Sequence, residues 1–239
     1  MTSCGRQHFS LEKYIQNPSK SDSTCIKDIE RAKTVVENGV IIFCYPSSMG
    51  THQLRQEKHL ILLCEQFNLM FMYEPYSDMI FEGQTQGCFG AYMDKVISDK
   101  FGFGFKQHLL SQADSMMIAA NDTVLYYLCD ERPKRPDVGH YLESDYLTVK
   151  VSEELRKQLK ADNEGKFPFM DIGFYIDKEG KTSGFFLNYF AIRDNESNQK
   201  LKDELFDFGV EQLKQIESWE PGIVNGQKVI TENNVRVYF

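Results

Sequence analysis

Cys88 is the side chain of this 239-residue chain whose chemistry would be easiest to activate. It follows Gln86 at the point where a helix is expected to begin, and a helix dipole stabilises a thiolate at its N-terminus. The amide of Gln86 could donate a hydrogen bond to an oxyanion, and a histidine such as His52 could act as the general base. The spacing leaves that base open among His52, His59, His108 and His140. This set predicts a cysteine-dependent hydrolase, and the alternative is a half-buried cysteine in a loop that caps the helix.

The order of residues 86–90, Gln-Gly-Cys-Phe-Gly, resembles the Gln-Ala-Cys-x-Gly motif of cysteine peptidases such as the caspases. The resemblance implies a peptidase with Cys88 as its nucleophile. The arginine-like and acidic residues that set specificity in that family have no counterpart around this motif. A cysteine peptidase is therefore the second of two functional hypotheses.

Other patterns that could bind a metal or a phosphate are incomplete. His52 and His59 are two helical turns apart, with Glu65 nearby, but they lack the His-Glu-x-x-His spacing of a zinc helix, so we expect two solvated histidines. Residues 101–105, Phe-Gly-Phe-Gly-Phe, lack the lysine of a phosphate-binding loop and predict a turn with buried aromatic rings. We expect no metal and no cofactor.

The six cysteines have wide and irregular spacings. No Cys-x-x-Cys pair occurs, which argues against a structural zinc site, and a chain of this length does not imply a disulfide framework. Cys44, Cys64 and Cys129 lie in apolar runs and are expected to be small buried side chains.

The composition favours a folded, acidic protein. Apolar residues make up 41% of the chain, which is enough for a core, and the formal net charge of −8 repels nucleic-acid phosphates. No stretch approaches the ~18–20 apolar residues that a transmembrane helix needs. The triplet Ser3-Cys4-Gly5 resembles the surroundings of a bacterial lipoprotein cysteine, which would place the chain in the periplasm or cell envelope if a signal had been removed. Otherwise the chain is expected in the cytoplasm.

Hydrophobic periodicity predicts a mixed α/β region in the first half of the chain. Residues 26–36 repeat apolar side chains at helical spacing, and residues 40–45 form a continuous β-branched run. Residues 51–67 return to helical spacing before a second strand at 69–73. A strand, a helix and a strand within so short a stretch indicate a crossover with parallel pairing.

The segment 130–137 is the expected domain boundary, because it is charged and contains two prolines. The polar residues 1–22 are expected to form a disordered tail. We therefore predict an N-terminal α/β domain of unknown role over 23–136 and a second domain over 137–239.

The second domain has the pattern of a β-β-α-β unit. Strands at 169–176 and 182–189 flank a turn at Gly180, and a helix with an apolar face follows. A second tight turn at Asn225-Gly226 leads to a closing strand, whose alternating apolar residues are Val235, Val237 and Phe239. The predicted fold class of the chain is α+β, with one helix packed on an antiparallel sheet in this domain.

Residues 152–239 resemble the C-terminal domain of the TonB family. The match consists of Ile-Asp-Lys-Glu-Gly-Lys at 176–181 and of a Trp-x-Pro-Gly-x-x-Asn-Gly pattern. The pattern is formed by Trp219, Pro221, Gly222, Asn225 and Gly226. The resemblance implies that these residues and Gly180 have structural roles and build the sheet.

The resemblance further implies an exposed edge strand that accepts an extended peptide from a partner protein, such as an envelope or outer-membrane protein. We assign this edge to the last strand, with Val235, Val237 and Phe239 as binding residues. Pairing of two copies through their sheet edges would give a homodimer. The membrane helix and proline-rich spacer of the energy-transducing members have no counterpart in this sequence. We therefore predict a non-enzymatic interaction module that does not transduce energy.

Overall fold

The chain divides into two units, Met1–Met117 and Ile118–Phe239, in a computed structural model that describes residues 11–48, 53–79, 81–192 and 196–239. Helices and strands are both abundant, which confirms the α+β class. The division lies before the boundary predicted after residue 136. The predicted boundary is too late because the amides of Asp130 and Glu131 bond to the carbonyl of Ile223 and tie this segment into the C-terminal unit.

The tail predicted over residues 1–22 is ordered in its described part. Residues 11–14 are helical, and Asp22 is completely buried. The Asp22 carboxylate accepts hydrogen bonds from the Tyr14 hydroxyl at 2.9 Å and from the Cys25 amide at 3.1 Å, so it caps the first long helix. Residues 1–10, including Cys4, lie outside the described residues.

The N-terminal unit contains the predicted crossover. Its elements are α1 (Ser23–Glu37), β1 (Ile42–Ser48), α2 (Glu57–Gln66), β2 (Met70–Tyr76), α3 (Cys88–Phe101) and α4 (Phe105–Ala119), the last running just past the division. Strands β1 and β2 are parallel, from Ile42 opposite Met70 to Ser48 opposite Tyr76. An apolar cluster that includes Phe43, Leu60 and Leu109 joins β1, α2, β2, α3 and α4, and α1 packs through separate clusters.

The C-terminal unit is built around a five-stranded sheet. The strands of this unit are β3 (Val124–Leu125), β4 (Tyr146–Thr148), β5 (Phe169–Ile176), β6 (Thr182–Ala191), β7 (Ile223–Val224), β8 (Gln227–Lys228) and β9 (Thr231–Tyr238). The five-stranded sheet consists of β3, β4, β5, β6 and β9. Its α-helices are α5 (Glu153–Gln158) and α6 (Lys202–Lys214), and short 3-10 turns cover Tyr126–Leu128, Tyr141–Asp145 and Glu196–Leu201. Strands β7 and β8 form a separate small hairpin.

The last strand, β9, lies inside the sheet and not at its edge. The strand order is β3-β9-β5-β6, and β4 also pairs with β9. Strand β9 is antiparallel to β5, whereas β3 and β4 run parallel to it, so the sheet is mixed and not purely antiparallel. Val235 and Val237 are completely buried and Phe239 is 8% exposed. The prediction that these three residues form a binding edge is wrong, because β3 and β4 already occupy that side.

The residues of the tryptophan motif have structural roles. Trp219 is buried with its ring 5.3 Å from that of Phe174, and its amide donates to the Gly180 carbonyl at 2.9 Å. Gly180 has a φ of +85°, and a Cβ there would come within 2.1 Å of the Trp219 carbonyl oxygen. Only glycine fits this turn.

The remaining motif residues shape the chain between Trp219 and β9. Pro221 and Gly222 lie just before β7. The methyl carbon of Thr231 lies 2.6 Å from where a Cβ on Gly222 would be. Asn225 and Gly226 take positive φ in the β7–β8 turn. The positive φ values of Asn225 and Gly226 explain why the motif has Asn-Gly at this turn, so the motif needs no chemical role.

Candidate functional site

The proposed nucleophile Cys88 is bonded to Cys25 in a disulfide, with the two Cα atoms 5.2 Å apart. Both residues are completely buried at the first turns of α1 and α3. Cys88 therefore has no thiol to ionise in this structure. The sequence reasoning missed this pair because two cysteines separated by 63 residues carry no local pairing signal.

The side chain of Gln86 is hydrogen-bonded to the backbone of Ser77 and does not donate to an oxyanion site. Its side-chain carbonyl accepts from the Ser77 amide at 2.7 Å, and its amide nitrogen donates to the Ser77 carbonyl at 2.9 Å. Next to it, the Thr85 amide donates to the capping Asp22 at 3.2 Å. The third member of the predicted set, His52, lies outside the described residues. The structure therefore follows neither hypothesis for this loop, because no side chain caps α3 at Gly87 and Cys88 is fully buried in the disulfide and not half-buried.

Two further predictions about single side chains are wrong. His59 is only 7% exposed and lies on the buried face of α2, not on a solvated face. Phe103 is 98% exposed, although the sequence predicted buried rings in this turn. Gly102 and Gly104 both have positive φ and turn the backbone so that Phe103 leaves the core.

The free thiols of the N-terminal unit are poor nucleophiles. Burial raises the pKa of Cys44 to about 12 and that of Cys64 to about 11. A thiolate is therefore scarce at neutral pH at either position. Within the described ranges, no three His, Cys, Asp or Glu side chains are grouped as a metal site would require.

Strand β6 forms the free edge of the large sheet. Among the described residues it pairs only with β5, so one side of its backbone has no strand partner. Its ten residues, Thr182–Ala191, include no charged residue and no proline, which are two of the features that protect an edge from further pairing. Tyr189 is 55% exposed on this strand. The edge is therefore open to an added strand.

Two irregularities bend β6 against β5. The register shifts between Asp171 and Ile172 and again between Gly173 and Tyr175. At the second shift Gly184 has a φ of +61°, which a side chain would strain. The following residue, Phe185, stacks on Phe174 of β5 with 5.4 Å between ring centroids. Phe185 therefore lies at the second bulge, and its ring is on the face of the sheet that α6 covers.

A groove of about 440 Å³ lies between Phe185 and helix α6. Its apolar lining consists of Phe185, Phe206 and Val210, and its polar lining consists of Asp207, Glu211 and Lys214. The three polar side chains are exposed, and the Lys214 ammonium lies 5.6 Å from the centroid of the Phe185 ring. The groove thus combines an apolar floor with a charged rim, directly beside the free edge.

Helix α6 can lie close to the sheet because Gly209 faces it. A Cβ on Gly209 would come within 2.7 Å of the Ile172 side chain. Leu205 and Leu213, one turn before and after, are completely buried in the same core. This packing leaves Asp207 and Glu211, spaced four residues apart, on the side of α6 that lines the groove.

The sequence reasoning assigned the edge to the wrong strand and did not identify the groove. One signal for the edge was present, since residues 182–192 form an uncharged run bounded by Lys181 and Arg193. No protein-family model, no curated protein and no solved structure matches this chain. The function of this chain is therefore inferred from the geometry of β6 and α6.

Proposed function

We propose that the C-terminal unit is a non-enzymatic interaction module that binds an extended segment of a partner protein by β-augmentation on β6. The observation that carries this proposal is the unpaired, uncharged edge of β6 beside the groove lined by α6. In such binding, backbone hydrogen bonds to the edge supply affinity, and pockets for alternate side chains supply specificity.

The dimensions and chemistry of the groove support this proposal. A volume of about 440 Å³ is within the range of small ligand pockets and accommodates one or two side chains of a docked strand. Phe185, Phe206 and Val210 offer apolar contacts to such side chains. The backbone of a bound strand would therefore pair with the edge of β6, and side chains on one of its faces would contact the groove beside α6.

We further propose that the protein acts in the periplasm or cell envelope of a bacterium, with an envelope or outer-membrane protein as partner. The Cys25–Cys88 disulfide supports this location, because disulfides persist mainly in oxidising compartments. The resemblance of residues 152–239 to the TonB C-terminal domain supports the kind of partner. No helix in the described part of the chain is long and apolar enough to cross a membrane.

Hydrogen exchange of the full chain with a strand-forming peptide tests the proposed function. The probe is a nine-residue peptide that alternates valine and threonine and carries one central lysine for solubility. We expect slower exchange of amides in Thr182–Ala191 and no change in β9, which pairs with β5 on one side and with β3 and β4 near its two ends on the other. The same peptide with N-methylated backbone amides should lose this effect, because it cannot form the ladder.

Two tyrosine variants localise the binding. Tyr189→Lys places a charge on the free edge and should weaken peptide binding. Tyr238→Lys is the matched control, since Tyr238 is also exposed but belongs to the interior strand β9. Equal loss of binding in both variants, or protection of strands other than β6, would overturn the proposal. Self-association through β6 would show up as a concentration-dependent mass in sedimentation.

A further inference from the structure

The rim of the groove beside β6 carries two carboxylates that have no partner among the residues that the structure describes. Asp207 and Glu211 are exposed and line the groove, and neither takes part in an ion pair or side-chain hydrogen bond within the described residues. They lie four residues apart on α6, so their side chains are neighbours on one helix face. Two adjacent carboxylates with no cation between them attract a positively charged group.

We infer that the segment that binds at β6 carries a lysine or arginine facing Asp207 and Glu211, and an apolar side chain on the same face of the strand that enters the groove. This inference rests on the proposed function and specifies its partner. The apolar side chain would contact Phe185, Phe206 and Val210, and the cation would lie at the rim. Strand geometry allows this, because successive side chains of an added strand point to opposite faces and alternate ones share a face.

Lys214 makes the charge along the rim of the groove asymmetric. Its ammonium lies near the Phe185 ring, one turn beyond Glu211 along α6, so the rim is negative at one end and positive at the other. A basic residue of the partner is favoured beside Asp207 and repelled beside Lys214. The charge pattern therefore also favours one position of the basic side chain along the groove.

A second copy of this chain fits the rim less well than a basic peptide. Strand β6 contains no lysine or arginine, so pairing of two β6 edges would bring no cation from those strands to Asp207 and Glu211. The chain has a net charge of −8, so two copies of it also repel each other. A separate, basic partner segment avoids both problems.

Three versions of the nine-residue probe test the inference, and they differ only in having lysine, glutamine or glutamate at the central position. We expect the lysine peptide to bind the full chain about tenfold more tightly than the glutamate peptide at low salt, as measured by fluorescence anisotropy. Raising the salt from about 0.05 M to 0.5 M should shrink the difference, because the groups at the rim are exposed.

A pair of double variants assigns the preference to the groove. Asp207→Asn combined with Glu211→Gln should abolish the preference for lysine over glutamate. Glu179→Gln combined with Glu217→Gln is the control, since both residues are exposed carboxylates of the same unit outside the groove lining and the net charge changes equally. The control should keep the preference.

The outcomes separate the two proposals. If the three peptides protect β6 equally, the inference about a basic partner fails while the strand-binding function stands. If the control variant loses the preference as much as the groove variant does, the inference fails as well, because net charge alone then explains it. If none of the peptides protects β6, the proposed function and the inference both fail.

Discussion

Removal of the Cys25–Cys88 disulfide is expected to destabilise the N-terminal unit by about 4 kcal/mol. The bond connects residues separated by 63 positions, and closing a loop of that length removes about 4 kcal/mol of conformational entropy from the unfolded chain at 25 °C. Both cysteines are completely buried in a cluster with Ile15, Ile29 and Ala91. Truncation to alanine also leaves a small cavity there, which adds to the loss.

The assay is urea unfolding of the chain and of the variant Cys25→Ala/Cys88→Ala. For a slope near 2 kcal/mol per M, a loss of 4 kcal/mol lowers the midpoint by about 2 M. Hydrogen exchange of residues 11–48 follows the N-terminal unit. The chain has a single tryptophan, Trp219 in the core of the C-terminal unit, so its fluorescence gives a reference signal for that unit.

Two results would refute this reasoning. The first is an unchanged urea midpoint for residues 11–48 in the variant. The second is alkylation of Cys25 and Cys88 in denaturant without reductant, which would mean that the bond does not form. Cys44, Cys64 and Cys129 are not part of a disulfide, so alkylation of these three is expected and serves as the positive control. The same alkylation experiment tests the hydrolase hypothesis, which needs a free Cys88.

Three further changes are expected to alter stability in defined ways. Arg55→Met should lower the free energy of unfolding in urea by about 3 kcal/mol, because the nearly buried Asp114 carboxylate loses the guanidinium that bonds to it twice at 2.9 Å. A loss below about 1 kcal/mol would contradict this. Burial raises the pKa of Glu74, so the stability of the chain should fall as pH rises from about 4.5 through that raised pKa, and Glu74→Gln should reduce this fall in unfolding measured at several pH values. Gly184→Ala should lower the melting temperature and weaken peptide binding. The backbone there has a φ of +61°, and the new Cβ would lie 2.7 Å from a neighbouring tyrosine ring. Unchanged binding would show that the bulge does not shape the groove.

Local patterns in the sequence predicted most of the elements correctly. The β1-α2-β2 crossover followed from changes of hydrophobic period between residues 40 and 73, and the β5–β6 hairpin followed from the turn at Gly180. Trp219 was expected to have a structural role, and its side chain is 2% exposed. These features depend on neighbours within a few turns or strands, so their signals lie close together in the chain.

The identity of the free edge depended on contacts between distant residues. Alternation of Val235, Val237 and Phe239 showed which face of β9 is buried, but the side-chain period carries no information on what lies to either side of a strand. Strand β9 is interior because Val124 pairs with Thr231 and Tyr146 pairs with Arg236, across about a hundred residues. That pairing moves the free edge to β6.

The sequence by itself determined the α+β class, the order of the main elements and the turn glycines, since periodicity and backbone preference are local properties. Only the tertiary structure decided that Cys88 is bonded to Cys25, that β6 is the open strand, and that Asp207 and Glu211 flank an apolar groove. Each of these three features joins segments whose proximity arises from packing of the whole unit. The physical reason is that hydrogen-bonded pairing and close approach between remote segments leave no periodic trace in either segment alone.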